Sequence, residues 1–253
     1  MKITFLGTGT SQGVPVIACN CKTCMSADSR DKRLRSSLLI ETGGQVIVID
    51  AGPDFRQQML REGVHKLDSI LLTHEHKDHI GGMDDVRAYN YISKKPIDIY
   101  CDERVQKAVK REYPYVFSEH KYPGVPQMNL ITIGNEAFSV GGLEVIPVKV
   151  QHYRLPVYGF RIGKLAYVTD ANYISDESKQ KLMGVEIMVI NALRKEEHLS
   201  HFNLAEAIEL VKEISPRRGF ITHISHQMGM HAEVSKDLPA GVELACDGLY
   251  LEI

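Results

Sequence analysis

Residues 71–82 read Leu-Leu-Thr-His-Glu-His-Lys-Asp-His-Ile-Gly-Gly and place the imidazoles of His74, His76 and His79 and the carboxylate of Asp78 within six positions. His and Asp are mostly exposed, or need partners when buried, so packing does not explain such a cluster. Chance histidines in a polar loop are the weaker alternative. Divalent metal ions explain the cluster, because imidazole and carboxylate are ligands that such ions take in proteins. The sequence therefore predicts metal ligands at His74, His76, Asp78 and His79.

The flanking residues predict where this H-x-H-x-D-H motif lies in the fold. The apolar run 67–73 predicts a buried strand, and Gly81-Gly82 is expected to open a helix. The motif would then occupy a turn at the carboxyl end of a strand, where α/β sheets place their sites. In an extended segment His74 and His76 project to the same side, so both can reach one ion. The turn that follows can direct Asp78 and His79 to a second ion.

The motif, with its leading Thr and trailing Gly-Gly, resembles that of the metallo-β-lactamase superfamily, and the resemblance extends over essentially the whole chain. Three later predicted strands are followed by side chains that the family requires, namely His152, Asp170 and His223. The resemblance implies two metal ions bridged by Asp170. One ion would be held by His74, His76 and His152. The other would be held by Asp78, His79 and His223.

The resemblance also implies an α/β fold, a four-layer αββα sandwich with two mixed sheets face to face and helices outside. Apolar patterning agrees, because strands and helices alternate along the chain. Strands are predicted at 2–6, 37–41, 45–50, 68–73, 97–101, 130–133, 143–150, 158–162, 165–169, 186–191, 219–222 and 249–253. Helices are predicted at 53–62, 83–91, 103–113, 175–183 and 204–214. The last helix has a capping box at its start, Asn203 with Glu206, and Pro216 after its end.

Composition is that of a globular enzyme. The 253 residues are 43% hydrophobic and 25% charged, so we expect one domain spanning 1–253. The net charge of −2 argues against nucleic acid as a partner. The start of the chain does not have the pattern of a secretion signal, and no apolar run approaches the ~18 residues of a membrane span. We therefore expect a cytoplasmic protein that does not bind membranes; a homodimer is compatible with the sequence.

Three of the five cysteines form a second cluster, Cys19-Asn20-Cys21-Lys22-Thr23-Cys24. A cytosolic chain rarely keeps structural disulfides, and this C-x-C-x-x-C spacing offers three thiolates to one metal. Structural zinc takes four ligands, and His226, three residues beyond His223, is the candidate for the fourth. We expect a zinc knuckle around 19–24 that holds one structural zinc. Reactive surface thiols or a redox pair remain the alternatives.

The opening residues 5–15, Phe-Leu-Gly-Thr-Gly-Thr-Ser-Gln-Gly-Val-Pro, together with the knuckle, narrow the resemblance. They resemble the phosphodiesterase branch of the superfamily, and in particular the phosphoribosyl cyclic phosphate phosphodiesterases of the bacterial carbon–phosphorus lyase pathway. The tRNA 3′-processing endonucleases are relatives in the same branch. The implied reaction is hydrolysis of a small phosphodiester, such as a cyclic ribose phosphate or a nucleotide.

Two metals roughly 3.5–4 Å apart can share a hydroxide and hold both the attacking and the leaving oxygen of a phosphoester. The ligand types suit zinc or manganese, and iron equally well. Asp50 is expected to orient a ligand imidazole. Asp78 is counted as both ligand and catalytic residue. In the phosphodiesterase branch a His before the last predicted helix stands near the substrate phosphate, so the resemblance implies His201 as the general acid, with His198 as second choice; exposed loop histidines without a role are the alternative. Further candidates for phosphate contacts are Arg194 and His231.

Other activities share parts of this pattern. Cleavage of tRNA 3′ ends normally relies on a basic Gly/Pro-rich arm, and no such insertion stands between the motifs. Thioester or lactone hydrolases share the H-x-H-x-D-H motif but not the knuckle. A redox di-iron protein would be expected to carry Glu where His76 stands. A non-catalytic binding module would be expected to have lost ligands. A small phosphodiester therefore remains the expected substrate.

Overall fold

Two seven-stranded mixed sheets face each other in the computed structural model, which describes residues 1–253. The first sheet contains β1 Lys2–Gly7, β2 Ser37–Thr42, β3 Gln45–Ile49, β4 Ser69–Leu71, β5 Ile97–Cys101, β6 Met128–Thr132 and β14 Tyr250–Glu252. The second contains β7 Phe138–Val140, β8 Leu143–His152, β9 Leu155–Ile162, β10 Leu165–Val168, β11 Ile187–Asn191, β12 Arg218–Thr222 and β13 Val242–Leu244. Their orders are β14-β1-β2-β3-β4-β5-β6 and β13-β12-β11-β10-β9-β8-β7.

Each sheet changes from antiparallel to parallel pairing part-way across. In the first sheet β14 to β3 pair antiparallel, and β3 to β6 pair parallel. In the second sheet β7 to β10 pair antiparallel, and β10 to β13 pair parallel. Parallel neighbours present their carboxyl ends at one edge, and the loops after these strands carry the predicted site residues.

The helices cover the outer faces of the sheets. They are α1 Lys22–Met25, α2 Phe55–Arg61, α3 Lys77–Ile80, α4 Arg87–Ser93, α5 Glu103–Glu112, α6 Pro114–Phe117, α7 Asp176–Leu182, α8 Leu204–Ile214 and α9 His231–Val234, with 3₁₀ turns at Ser29–Asp31, Met83–Val86 and His226–Met228. Apolar side chains of α2, α4 and α5 pack on the first sheet, and those of α7 and α8 pack on the second. A third cluster lies between the sheets and includes Phe5, Phe160 and Phe220. The expected αββα sandwich is confirmed.

Several local expectations need correction. The helix of the motif begins at Lys77, inside the motif, and Gly81 ends it instead of opening it. A 3₁₀ turn, Met83–Val86, then precedes α4, where one continuous helix was expected. The short strands β7 and β13 were not predicted from the sequence.

Candidate metal centre

The first group of predicted ligands is His74, His76 and His152, which the structure brings together. His74 and His76 follow β4, and His152 is the last residue of β8 in the opposite sheet. His74 Nε2 lies 3.0 Å from His76 Nδ1. His152 Nδ1 lies 2.8 Å from the carbonyl oxygen of Ser200 and donates a hydrogen bond to it. The lone pair of Nε2 is therefore free for a metal ion. The three free nitrogens can therefore act as metal ligands.

The second group consists of Asp78, His79, Asp170 and His223. The Nε2 atom of His79 lies 3.1 Å from Asp78 Oδ2 and 3.2 Å from Asp170 Oδ2. His223 Nε2 lies 3.2 Å from the other oxygen, Asp170 Oδ1. Asp170 thus presents both of its oxygens within the site, which is the arrangement that a bridging carboxylate requires.

The spacing within both groups fits metal ions. Ligand atoms about 2.0–2.2 Å from one ion lie roughly 3.0–3.5 Å from each other, which is the spacing observed. The Nε2 atom of His79 is buried and has no hydrogen-bond partner, although carboxylate oxygens lie near it. A cation between these atoms would satisfy all of them. The seven side chains fit two divalent ions, whose presence and number stay predictions.

The electrostatics of the site favour a neutral imidazole at His74 and an ionised carboxylate at Asp170. Burial lowers the pKa of His74 well below its usual value, so the imidazole is neutral, as a metal ligand must be. Burial alone would raise the pKa of Asp170, but His223 and His79 outweigh it and hold that pKa well below the usual range. Burial likewise opposes protonation of His79, yet Asp78 and Asp170 raise its pKa. The negative charge of the buried carboxylates therefore favours binding of a cation in the site.

Asp50 makes the contact that the sequence predicted for it. It is fully buried, and its Oδ2 atom accepts a hydrogen bond from His79 Nδ1 at 2.7 Å. The hydroxyl of Thr73 donates to Asp50 Oδ2 at 2.8 Å, and its oxygen lies 2.9 Å from His74 Nδ1. The Thr73 oxygen therefore accepts from His74. Asp50 and Thr73 together fix two imidazoles with Nε2 directed into the site.

His223 has a similar support that the sequence did not predict. The Ser36 hydroxyl donates to the Gly9 carbonyl at 2.9 Å and lies 3.1 Å from His223 Nδ1, so its oxygen accepts from the imidazole. Thr10 Oγ1 lies 3.3 Å from His223 Nε2. Thr10 belongs to the opening motif of residues 5–15, which narrowed the family resemblance but predicted no function for this residue. Ser36 gave none, because its role depends on contacts made far along the chain.

The two candidate general acids both lie beside the metal ligands. His201 is buried, with Nδ1 3.8 Å from Asp170 Oδ1, and its ring centroid is 4.6 Å from that of His152. Burial, followed by the nearby His223, lowers the pKa of His201 to about 3. The ring centroid of His198 lies 5.2 Å from that of His201. Burial, followed by the positive charge of Arg194, lowers the pKa of His198. His201 is thus the nearer of the two to the centre.

The structure separates the two further candidates for phosphate contacts. Arg194 lies near His198, in the loop that follows β11. His231 is instead buried, where its Nδ1 atom faces Arg33 at 3.1 Å and its backbone amide donates to Asp31. These contacts use the polar groups of His231 within the protein interior. The suggestion of a phosphate contact for His231 is therefore dropped.

The four residues of the predicted knuckle meet as a third group. The sulfurs of Cys19, Cys21 and Cys24 lie 3.2, 3.4 and 3.5 Å from His226 Nδ1. Zinc bound tetrahedrally, with Zn–S of about 2.3 Å and Zn–N of about 2.0 Å, would place sulfur and nitrogen roughly 3.5 Å apart. All five cysteines are free. The group therefore fits one zinc ion, as expected from the sequence, and zinc itself stays a prediction.

Residues 45–224 match the family model described as the beta-lactamase superfamily domain. The chain belongs to the beta-lactamase superfamily. The match spans the H-x-H-x-D-H motif and continues to His223. Family and fold together confirm the sequence-based expectation of a metallo-β-lactamase-fold hydrolase with side-chain groups suited to metal ions.

Two solved structures similar to this chain differ in their sequence identity to it. A crystal structure of a new diphosphatase from the PhnP family is 38% identical, with a TM-score of 0.94 over 100% of this chain and 97% of that one. Zn²⁺-bound PqqB from Methylobacterium extorquens is 21% identical, with a TM-score of 0.82 over 100% of both chains, and shows the shared fold.

One curated relative is longer than this chain. The octanoyltransferase of Porphyromonas gingivalis is 39% identical over 252 residues, which are 98% of this chain and 51% of that protein. The chain thus spans about half the length of that relative. None of the helices in the structure has the length and hydropathy that a membrane crossing needs.

Proposed function

We propose that this protein hydrolyses a small phosphodiester, such as a cyclic ribose phosphate or a nucleotide diester, at a centre of two divalent metal ions. The observation that carries the proposal is the position of Asp170, which groups with Asp78, His79 and His223 and also lies close to His152 of the first ligand group. A 38% identical structure is that of a diphosphatase, which also cleaves a phosphorus–oxygen bond. Zinc or manganese suits these nitrogen and oxygen ligands.

Two bound metals would lower the pKa of a shared water to about 7, and so supply a hydroxide at neutral pH. The protein's own contribution is to hold the phosphoester in line with that hydroxide. Asp50, Thr73 and Ser36 fix the ligand imidazoles, so the site is already formed before substrate binds. No serine or cysteine nucleophile is needed for this reaction.

His201 is proposed to protonate the leaving oxygen. Its imidazole lies beside Asp170 and His152, where a leaving group would be released. With a pKa lowered to about 3 it is neutral at pH 7 in the free protein. The negative charge of a bound phosphodiester would favour the imidazolium, because an opposite charge nearby stabilises the charged form. His201 would then be a general acid in the substrate complex.

A second candidate reaction is hydrolysis of the P–O–P bond of a diphosphate. It is favoured by the diphosphatase activity ascribed to the 38% identical structure. Acyl transfer is not proposed, because the octanoyltransferase relative is a protein of which this chain covers 51%. Cleavage of tRNA and thioester or lactone hydrolysis remain rival activities, with less support from the residues.

A substrate panel tests the proposal. The purified protein, loaded with zinc or with manganese, would be assayed on cyclic ribose phosphates, linear phosphodiesters, diphosphate diesters, a tRNA precursor and thioesters. We expect kcat/KM for the small phosphodiesters and the diphosphate diesters to exceed that for the tRNA precursor and the thioesters. A preference for thioesters or for the tRNA precursor would reject the proposal.

A further inference from the structure

The loop between β11 and α8 carries three side chains that can donate hydrogen bonds to phosphoryl oxygens, namely Arg194, His198 and His201. His201 lies next to Asp170, and His198 lies one ring further out, with 5.2 Å between the two ring centroids. Arg194 is next, because its guanidinium donates to the backbone carbonyl of Glu197, the residue before His198. Donors and positive charge therefore lie together in the loop beside the predicted metal centre.

Arg194 has partners that hold its side chain without neutralising its charge. Its guanidinium donates to Gln227 Oε1 at 2.9 Å and to the backbone carbonyl of Glu197 at 2.8 Å, and both acceptors are neutral. Its Nε atom is buried and has no acceptor. A guanidinium held in this way favours an anion, since its planar fork matches phosphate oxygens.

The position of Arg194 is fixed by the edge of the predicted zinc knuckle. Gln227 directly follows His226, in the 3₁₀ turn His226–Met228. The backbone amide of Ser225 donates to the carbonyl of Leu193 at 2.9 Å, which ties this turn to the residue before Arg194. The guanidinium is thus held by two segments, as expected of a preorganised binding group.

We propose that Arg194 and His198 form a subsite for a second phosphoryl group, so that the preferred substrate is a diester of diphosphate. This inference rests on the proposed function and selects among its substrates. Water supplies the hydroxide oxygen that forms a new bond to the phosphorus at the metals. The bridging P–O bond breaks, and its electron pair leaves with the second phosphoryl group. The products are two phosphate monoesters, which together take up both protons of the water.

Two matched probes and three variants test the subsite. The probes are P,P′-dimethyl methylenediphosphonate, which carries two phosphoryl groups and resists hydrolysis, and methyl methylphosphonate, which carries one. Their dissociation constants would be measured by titration calorimetry on the manganese-loaded protein. The variants are Arg194→Gln, Arg194→Lys and a control, Lys195→Gln, which removes the same charge from the exposed neighbouring residue.

We expect Arg194→Gln to weaken binding of the two-group probe about 10–100-fold, the range of a lost charge-assisted hydrogen bond. Binding of the one-group probe should change less than about two-fold, since Arg194 does not contact the first group. Arg194→Lys should weaken binding less, because it keeps the charge and loses the fork. Lys195→Gln should leave both constants unchanged.

Equal weakening of both probes by Arg194→Gln would overturn the subsite, and so would no weakening of either. The proposed function is judged separately, from hydrolysis of bis(4-nitrophenyl) phosphate by the parent protein. If the parent hydrolyses this diester but Arg194→Gln does not change the dissociation constant of the two-group probe, the subsite is rejected and the proposed function is kept. If the probe depends on Arg194 but no phosphoryl ester is hydrolysed, the subsite stands and the function fails.

Discussion

At the scale of single residues, the site is built from backbone conformations that most side chains avoid. Asp50, Asp170 and His223 have φ values of 62°, 56° and 56°, in the left-handed region. Such a conformation costs on the order of 1–3 kcal/mol for a non-glycine residue, and it clusters at functional sites. Each of these residues follows directly, or within two positions, a strand of one of the sheets. The left-handed turn brings each side chain to the edge where the strands end.

Asp170 is the residue on which both ligand groups depend. Asp170→Ala should lose at least one metal and reduce activity to background, because Asp170 is the carboxylate that lies close both to His79 and His223 and to His152. Elemental analysis should find about two metals per site in the parent, in addition to any knuckle zinc. Asp176→Ala, which removes an exposed carboxylate, is the control. Two fully retained metals in Asp170→Ala would refute the bridging role.

His201 can be tested through the leaving group. General acid catalysis contributes about 10²–10⁴-fold, so His201→Ala should slow cleavage of an alkyl or ribosyl diester by that order. A nitrophenolate leaves without a proton, so hydrolysis of bis(4-nitrophenyl) phosphate should fall far less. His120→Ala, at an exposed position, controls for loss of an imidazole. Equal losses on both substrates would assign His201 to phosphate binding or metal support. Loss with His198→Ala alone would move the acid there.

At the scale of elements, local signals predicted some boundaries well and others poorly. Helix α8 begins at Leu204, as expected, because the capping box of Asn203 and Glu206 forms and satisfies backbone amides. Helix α3 begins earlier than expected, at Lys77, with His76 at its cap position and without a side-chain cap bond. The packing of the motif sets the start of α3, and no capping residue in the sequence marks it.

The knuckle is the element whose loss should affect stability before chemistry. Cys21→Ser should release one tightly held zinc and lower the midpoint of thermal unfolding, because metal binding there is coupled to folding. A loss of about 2 kcal/mol would lower that midpoint by about 4–8 °C for a chain of this size. Cys246→Ser, outside the group, is the control. A crystal structure with the three sulfurs more than about 3 Å from any ion would contradict the assignment.

At the scale of the whole molecule, the site depends on the packing of one sheet against the other. His74 and His79 follow a strand of the first sheet, whereas His152 ends a strand of the second sheet and Asp170 and His223 follow other strands of it. The apolar layer between the sheets therefore sets the distance between the two halves of the site. Phe5 of the first sheet meets Phe220 of the second there, with ring centroids 5.5 Å apart.

Phe220→Ala should reduce both the stability of the fold and the retention of metal. Phe220 is fully buried, and truncation of such a side chain costs about 3–5 kcal/mol in unfolding free energy. Denaturant unfolding would measure that loss, and equilibrium dialysis would measure metal affinity. Ile17→Ala, at a residue that is 94% exposed, should change stability by less than about 0.5 kcal/mol. Wild-type stability in Phe220→Ala would show that this contact does not hold the sheets together.

The sequence by itself determined the features that depend on neighbouring residues. The motif gave four candidate ligands, the resemblance to the superfamily pointed to His152, Asp170 and His223 at the ends of predicted strands, and the cysteine spacing gave the knuckle. These inferences succeed because side-chain periodicity and ligand spacing are local properties of the chain. Even His226 was found from its distance to His223, since both follow the same strand.

Only the tertiary structure decided which distant groups support the site and which of two similar candidates belongs to it. Ser36 reaches His223 across 187 positions of the chain, and no local pattern encodes that contact. Arg194 and His231 looked alike as phosphate contacts, yet Arg194 lies beside the site while His231 is buried against Arg33. The physical reason is that the pairing order of the strands and the packing of the two sheets place these loops, and both depend on contacts across the whole chain.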